Sequence, residues 1–230
     1  MIRAILCDIE GTTTALAFVH ETLFPLSRLD LPQFLKINWS DPELSPVIQK
    51  LKGETSLHRG KPVDSITVED AVQLLIQWID ADRKETTLKT IQGKIWKNAF
   101  ESGSVKGHVY PDVPCMWNEW KSQGQRIYIF SSGSVEAQKL IFKHSECGDL
   151  SHLIDGYFDT ATGPKKEHDS YRKIAIALNL DPSEMLFLSD TDLELDAAAK
   201  ASMQTIRLNR ETAPCESTHT TVHSFTEIQP

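Results

Sequence analysis

Cysteine is scarce in this 230-residue chain: Cys7, Cys115, Cys147 and Cys215 are the only four, and no two form a CxxC pair. A disulfide framework is therefore not expected, and reduced thiols fit better. Long apolar runs are also lacking, and nothing approaches the ~20 residues of a membrane-spanning helix. The amino-terminal run is broken at Arg3 and stopped at Asp8, too early for a secretory leader. No membrane partner is expected, and a cytoplasmic location is. Basic charge is in deficit, with 24 Lys and Arg against 32 Asp and Glu and a formal net charge of -8. The basic residues are scattered, so the stripe that a nucleic-acid partner would need is missing. An anionic substrate stays compatible if a local cation meets it. Solenoid-period repeats and low-complexity tracts are absent too.

What is present is a chain that is 40% hydrophobic, enough for one core or one core carrying a smaller insertion. Three short apolar runs end abruptly in polar residues. Ile5-Leu6-Cys7 ends at Asp8, Ile127 to Phe130 ends at Ser131-Ser132-Gly133-Ser134, and Met185 to Leu188 ends at Ser189-Asp190. Such runs read as buried strands of a parallel sheet. Helical patterns follow the second run (Val135, Leu140, Ile141) and the third (Leu193, Ala197, Ala198, Ala201). A helix over about 170–178 precedes the third, and a further strand fits Gln204 to Leu208. The alternation predicts an α/β fold with a Rossmann-like parallel sheet core.

Residues 15–109 read differently, as a helical cap inserted into a core made of 1–14 and 110–230. Val68, Ala71, Val72, Leu75 and Ile79 recur at helical spacing, as do Leu88, Ile91, Ile95 and Ala99. The Leu31-Pro32 and Asp41-Pro42 steps are expected to break earlier helices. Tyr110-Pro111-Asp112 marks the return to the core, before a helix through Met116, Trp117 and Trp120. Trp78, Trp96, Trp117 and Trp120 fall on helix faces and read as packing residues, with Trp96 also able to line a pocket.

In an open α/β sheet ligands gather at the carboxyl ends of the strands. Asp8, Ser131 and Asp190 all lie at such ends. Asp8 and Glu10 are two residues apart, so a continuing strand would put both carboxylates on one face, and Gly11 then allows a sharp turn. A carboxylate can attack phosphorus to give an aspartyl-phosphate, and a second carboxyl can protonate the leaving group and later activate water. Two carboxylates repel a phosphate by several kcal/mol, even at an effective dielectric of about 20. Mg²⁺, a hard oxygen-seeking cation, resolves this, with Asp8 and Asp190 as side-chain ligands and a backbone carbonyl near Glu10 as a third. Ser131 and Ser132 open a helix and can hold phosphate oxygens. Lys165, in Gly163-Pro164-Lys165-Lys166, can neutralise the transferring group. Lys166 can reach the site as well, although the spacing from Ser131 favours Lys165.

In this order, Asp8-Ile9-Glu10-Gly11-Thr12-Thr13, Ser131-Ser132-Gly133-Ser134, Lys165 and Ser189-Asp190 resemble the four signatures of the haloacid dehalogenase-like phosphatases. Most of that family carries a second Asp where this chain has Glu10. DIEGTT followed by a helical insertion is similar to the enolase-phosphatases of methionine salvage, also called acireductone synthases. Phe18-Val19-His20, Asp82-Arg83-Lys84, Leu88-Lys89, Ile91-Gln92-Gly93, Ser131 through Leu140, Gly156 through Thr160 and Ser170-Tyr171-Arg172 add to that likeness. The resemblance runs from Met1 to about Leu208. It implies a two-step reaction on 2,3-diketo-5-methylthiopentyl-1-phosphate, enolised first and then dephosphorylated to the acireductone. It further implies one Mg²⁺ held by Asp8, the Glu10 carbonyl and Asp190, and phosphate contacts from Ser131, Ser132 and Lys165, with the small phosphorylated diketone as partner; a monomer is expected, although the sequence does not give the oligomeric state.

Two alternatives accompany this reading. A generic small-metabolite phosphatase is disfavoured by DIEGTT and Ile91-Gln92-Gly93, and a non-catalytic phosphoester binder by the intact Asp8, Glu10, Lys165 and Asp190 set. Cys7, beside Asp8, is a possible thiol nucleophile but sits in an apolar run and reads as a small hydrophobe. Cys215, His219 and His223 have the spacing of a poor zinc site in what reads as a loose, Thr-rich tail.

Overall fold

The computed structural model describes residues 1–81, 83, 85–211 and 216–230. The chain divides into two compact units, one made of Met1–Phe18 with Val105–Pro230 and the other of Val19–Ser104. The expectation of a helical stretch over 15–109 thus runs a few residues past the helical unit on each side. Among the described residues, no helix is long and apolar enough to cross a membrane.

The first unit is built on β1 (Ala4–Cys7), β2 (Arg126–Phe130), β3 (Gly156–Phe158), β4 (Met185–Ser189), β5 (Gln204–Leu208) and β6 (Thr220–Val222). They form one sheet in the order β3-β2-β1-β4-β5-β6, and every pairing is parallel. All four residues of β1 are buried, as are all five of β4. Both strands have neighbours on each side, which is why their sequences are continuous apolar runs rather than alternating ones. The strand order reverses between β1 and β4, where an open α/β sheet forms its ligand crevice. One face of the sheet is packed by α7 (His168–Leu178) and α8 (Asp192–Lys200), with Leu6, Phe130 and Phe187 of the sheet meeting Tyr171, Ile174 and Leu195.

The second unit holds α1 (Phe24–Asn38), α2 (Ser45–Arg59), α3 (Val68–Asp80) and α4 (Thr86–Glu101). Leu31, Leu35, Ile48, Leu51, Leu74, Leu75, Leu88, Ile91 and Ile95 make its core. α3 opens with a reciprocal capping box between Thr67 and Asp70. The Leu31-Pro32 step does not break a helix, because Pro32 lies inside α1. The ring removes one backbone hydrogen bond, and the complete burial of Leu31 and Leu35 on either side offsets the loss. At Asp41-Pro42 the chain does leave helix, and Asp41 closes a turn by accepting from the Glu43 amide at 2.9 Å.

The carboxyl-terminal segment is not loose. β6 extends the sheet beside β5, and Val222, Phe225 and Ile228 are buried. Phe225 packs on Trp120 of α5 (Asp112–Ser122), with ring centroids 5.3 Å apart. Three residues of strand are too few for a periodic signal, so the sequence pattern missed them. Arg210 locks this segment to the turn after β1. Its Nε donates to the Thr12 carbonyl at 2.9 Å and its Nη1 to Asp112 Oδ2 at 2.7 Å. The guanidinium lies between the rings of Tyr110, 4.3 Å away, and Phe225, 5.0 Å away. Asp112 also accepts from the Phe225 amide at 2.6 Å and from Ser224 Oγ at 3.0 Å.

Burial, the largest influence on Asp112, pushes its carboxyl up, but the bonds from Arg210, Phe225 and Ser224 together hold it below its ordinary value. Its pairing therefore contributes stability that is fully present above about pH 4 and lost as pH falls through the lowered folded-state value. Asp112→Ala, which leaves Arg210 buried and unpaired, should cost about 3 kcal/mol at pH 7. Urea unfolding should show this as a lower midpoint at unchanged slope, with the gap to the native protein narrowing in acid.

Candidate active site

Asp8 follows the last residue of β1. The register pairs Cys7 with Ile129 on one side and Leu188 on the other, so Asp8, Phe130-Ser131 and Ser189-Asp190 leave the sheet at one edge. The Asp8 amide donates to the Leu188 carbonyl at 2.9 Å, fixing the first residue beyond the strand. The chain then turns tightly, with the amides of Thr12, Thr13 and Thr14 all directed at the Ile9 carbonyl. Gly11 adopts φ +67°, and a Cβ there would lie 2.1 Å from Asp190 Oδ2. Glycine is thus required twice over, for backbone handedness and for the approach of a carboxylate.

Asp8 is 6% exposed. Its Oδ1 accepts from Lys165 Nζ at 2.5 Å, and its Oδ2 lies 3.5 Å from the Ser189 hydroxyl. Lys165 is equally buried, and its ammonium meets a second carboxylate, Glu194 Oε2, also at 2.5 Å. Burial, the largest influence, disfavours the charged lysine, but Asp8 and Glu194 outweigh it and raise its pKa. Tyr171 of α7 holds the Lys165 carbonyl at 2.7 Å. Ser170 Oγ donates to the Pro164 carbonyl at 2.7 Å, so close to Gly163 that a Cβ there would clash. These contacts aim Lys165 at Asp8 and leave Lys166 exposed.

Glu194, in the first turn of α8, belongs to the cluster although its sequence position did not suggest it. It accepts from Ser189 Oγ at 3.2 Å as well as from Lys165. Burial and then the charge of Asp8 push its carboxyl upward, against Lys165 and Ser189. Asp190 is pushed in the same direction by burial and by Asp8, and its Oδ1 accepts from the Thr191 hydroxyl at 2.9 Å. Arg207 Nε holds the Asp190 carbonyl at 3.2 Å.

Asp8 and Glu194 thus share one ammonium, Asp190 adds a third carboxyl nearby, and the surplus is negative. An all-oxygen donor set with excess negative charge suits a hard divalent cation. Only two of these side chains, Asp8 and Asp190, flank the crevice at the ends of β1 and β4. No cluster of three His, Cys, Asp or Glu side chains able to hold a metal occurs among the described residues. A cation there would complete its shell with backbone carbonyl and water, as Mg²⁺ commonly does.

The other expected residues are placed as follows. Glu10 lies in the turn after β1, bridged to Thr14. Ser131 is buried, its amide donating to the Phe158 carbonyl at 3.2 Å and its Oγ accepting from the Gly133 amide at 3.3 Å. Ser132 is exposed, whereas Asp8 and Lys165 are buried. Burial pushes the Cys7 thiol far up, which removes it as a nucleophile. Cys215 lies outside the described residues. His219 bonds Thr205 at 2.9 Å and Asp196 at 3.1 Å, and His223 bonds the Asn209 carbonyl at 2.7 Å, so the two rings are committed separately. Trp96 donates to the Leu23 carbonyl at 2.8 Å within the helical unit.

Residues 2–202 match the model of the haloacid dehalogenase-like hydrolases. The chain is 46% identical to the enolase-phosphatase E1 of Sorangium cellulosum, over 99% of this chain and 97% of that protein. It is 47% identical to the enolase-phosphatase E1 of Pseudomonas aeruginosa, over 99% and 98%. Among solved structures, the UTR4 protein of Saccharomyces cerevisiae superposes with a TM-score of 0.82 at 32% identity, covering 99% of this chain and all of that one. A putative haloacid dehalogenase-like hydrolase of Bacillus subtilis bound to magnesium, YfnB, shares the fold at a TM-score of 0.58 and 13% identity, covering 98% of this chain and 96% of that one. Sequence likeness across nearly the whole chain and a matching family model agree, and the chain belongs to the haloacid dehalogenase-like hydrolases, in their enolase-phosphatase branch.

Proposed function

We propose that this chain is a Mg²⁺-dependent enolase-phosphatase that converts 2,3-diketo-5-methylthiopentyl-1-phosphate into the acireductone and phosphate. The observation that carries the phosphatase half is the buried Asp8 carboxylate held by Lys165 at 2.5 Å at the sheet's ligand crevice. The enolase half rests on relatives bearing that name, 46% and 47% identical along nearly their whole length.

Asp8 attacks the phosphorus atom, a P–O bond forms to its carboxylate, and the bond to the substrate oxygen breaks. Glu10 protonates that oxygen as it leaves, then takes a proton from the water that attacks the aspartyl-phosphate. Lys165 carries positive charge to the transferring group, and Glu194 together with Tyr171 keeps it aimed there. Ser131 and Ser132 hold the phosphate oxygens. Asp8 and Asp190, with a carbonyl near Glu10, would hold Mg²⁺, which when bound offsets the repulsion between the carboxylates and the phosphate. We place the protein in the cytoplasm as a monomer. These groups act on a phosphoryl group common to every phosphate monoester, so we assign substrate selectivity to the helical unit acting as a cap.

Lys165→Ala should lower kcat by about 100-fold, since charge at the transferring group acts in the transition state. Lys166→Ala should leave kcat within about twofold, because that side chain is solvated. Steady-state phosphate release on both variants checks the assignment. Chelation with EDTA should abolish phosphate release and added Mg²⁺ should restore it. Asp8→Asn keeps volume and an oxygen but loses the nucleophile. It should stop phosphate release while still converting the diketone phosphate into its conjugated enol phosphate, followed by ultraviolet absorbance and by proton exchange in deuterated water. Phosphate release at the native rate would rule Asp8 out.

A further inference from the structure

We infer that Gln138, in the first turns of α6 (Val135–Lys143), is a positioning residue that fixes the Ser131–Ser134 loop in its phosphate-binding shape. The inference rests on the reading of that loop as the phosphate seat. Gln138 is 1% exposed. Its Nε2 donates to two backbone carbonyls, Gly133 at 2.8 Å and Phe158 at 2.9 Å. Two carbonyl acceptors on one nitrogen leave no choice of amide orientation, because the flipped amide would set oxygen against oxygen.

The two carbonyls belong to different parts of the site. Gly133 is in the loop after β2, whereas Phe158 is the last residue of β3 and also accepts from the Ser131 amide at 3.2 Å. Gln138 therefore ties the far side of the loop to the strand that already holds its near side. Asp159 adds a second tie by accepting from the Val135 amide at 3.3 Å.

A planar, trans peptide converts this tie into aim. With the Gly133 carbonyl turned down onto Gln138, the Ser134 N–H points the opposite way, and the intervening Gly133 N–H is left on Ser131 Oγ at 3.3 Å. Without the Gln138 amide, the Gly133 carbonyl loses that side-chain donor and the peptide is free to rotate. Rotation would swing carbonyl oxygen toward a bound anion in place of N–H. Gln138 touches no reacting atom on this account, and its effect is on phosphate affinity.

The test is competitive inhibition by inorganic phosphate at saturating Mg²⁺, measured for native protein, Ser131→Ala, Gln138→Leu and Gln138→Met. Leu and Met fill similar volume without a donor, and the flexible Met is the second choice should Leu fail to fold. Each folded Gln138 variant is expected to raise the inhibition constant about tenfold, the effect of losing roughly one net hydrogen bond's contribution. KM for the phosphorylated substrate should rise by a similar factor while kcat changes far less, as for an interaction made equally in ground and transition states. General destabilisation would not move an inhibition constant measured on folded enzyme. An unchanged constant in the Gln138 variants, with Ser131→Ala raised, overturns the role of Gln138 and leaves the loop as phosphate seat. An unchanged constant in Ser131→Ala overturns the reading of the loop itself. In native protein, the Gln138 side-chain amide protons should exchange slowly with solvent and more slowly with phosphate bound. Exchange at the free-amide rate overturns the tie without any variant.

Discussion

A carboxylate buried at the end of a central strand is costly to keep charged, because desolvation disfavours the ion and neighbouring carboxylates repel it. In this protein the cost is met by one ammonium, that of Lys165, shared between Asp8 and Glu194 at 2.5 Å each. Much of the surrounding structure serves that contact. Tyr171 and Ser170 of α7 fix the loop that carries Lys165. Ser189 and Glu194 of β4 and α8 supply the second acceptor. Arg210 braces the turn after β1 from the carboxyl-terminal side. An apolar sheet beneath excludes water from the cluster, so that its electrostatics act at low dielectric.

The same surplus of negative charge that makes the cluster costly makes it useful. Asp8 and Glu194 on one ammonium, with Asp190 nearby, form a negative site that would attract a divalent cation, and that cation with the ammonium would attract a phosphate. Cation binding would relieve repulsion between the carboxylates and lower the cost of bringing a phosphate beside them. Removing Asp8 would change Asp190, whose carboxyl is pushed upward by burial and then by the charge of Asp8.

The core fold was legible because its central strands β1, β2 and β4 are buried, and apolar runs such as Met185 to Leu188 that stop at a polar residue signal this directly. Asp8, Ser131 and Asp190 were legible for the same reason, since each lies where an apolar run stops, Asp190 one residue beyond Ser189. Glu194 was not. An acidic residue in the first turn of a helix ordinarily reads as a partner of the helix dipole, and only the fold brings it to Lys165. Gln138 escaped notice because its donors go to backbone, and side chain to backbone bonds leave no pairing signal in sequence. Pro32 misled because local backbone preference yielded to the burial of Leu31 and Leu35. The Thr-rich tail misled because its three strand residues take their order from β5 and from Phe225 on Trp120, not from any pattern of their own.

The central claim is that phosphate passes through a covalent bond to Asp8. Rapid acid quench during turnover, followed by borohydride reduction, converts an aspartyl-phosphate to homoserine at the residue that carried it. Peptide mass mapping should find homoserine at position 8, dependent on substrate, and at no other carboxylate. Reduction at Glu10, Asp190 or Glu194 instead, or its absence while phosphate is being released, would contradict the account.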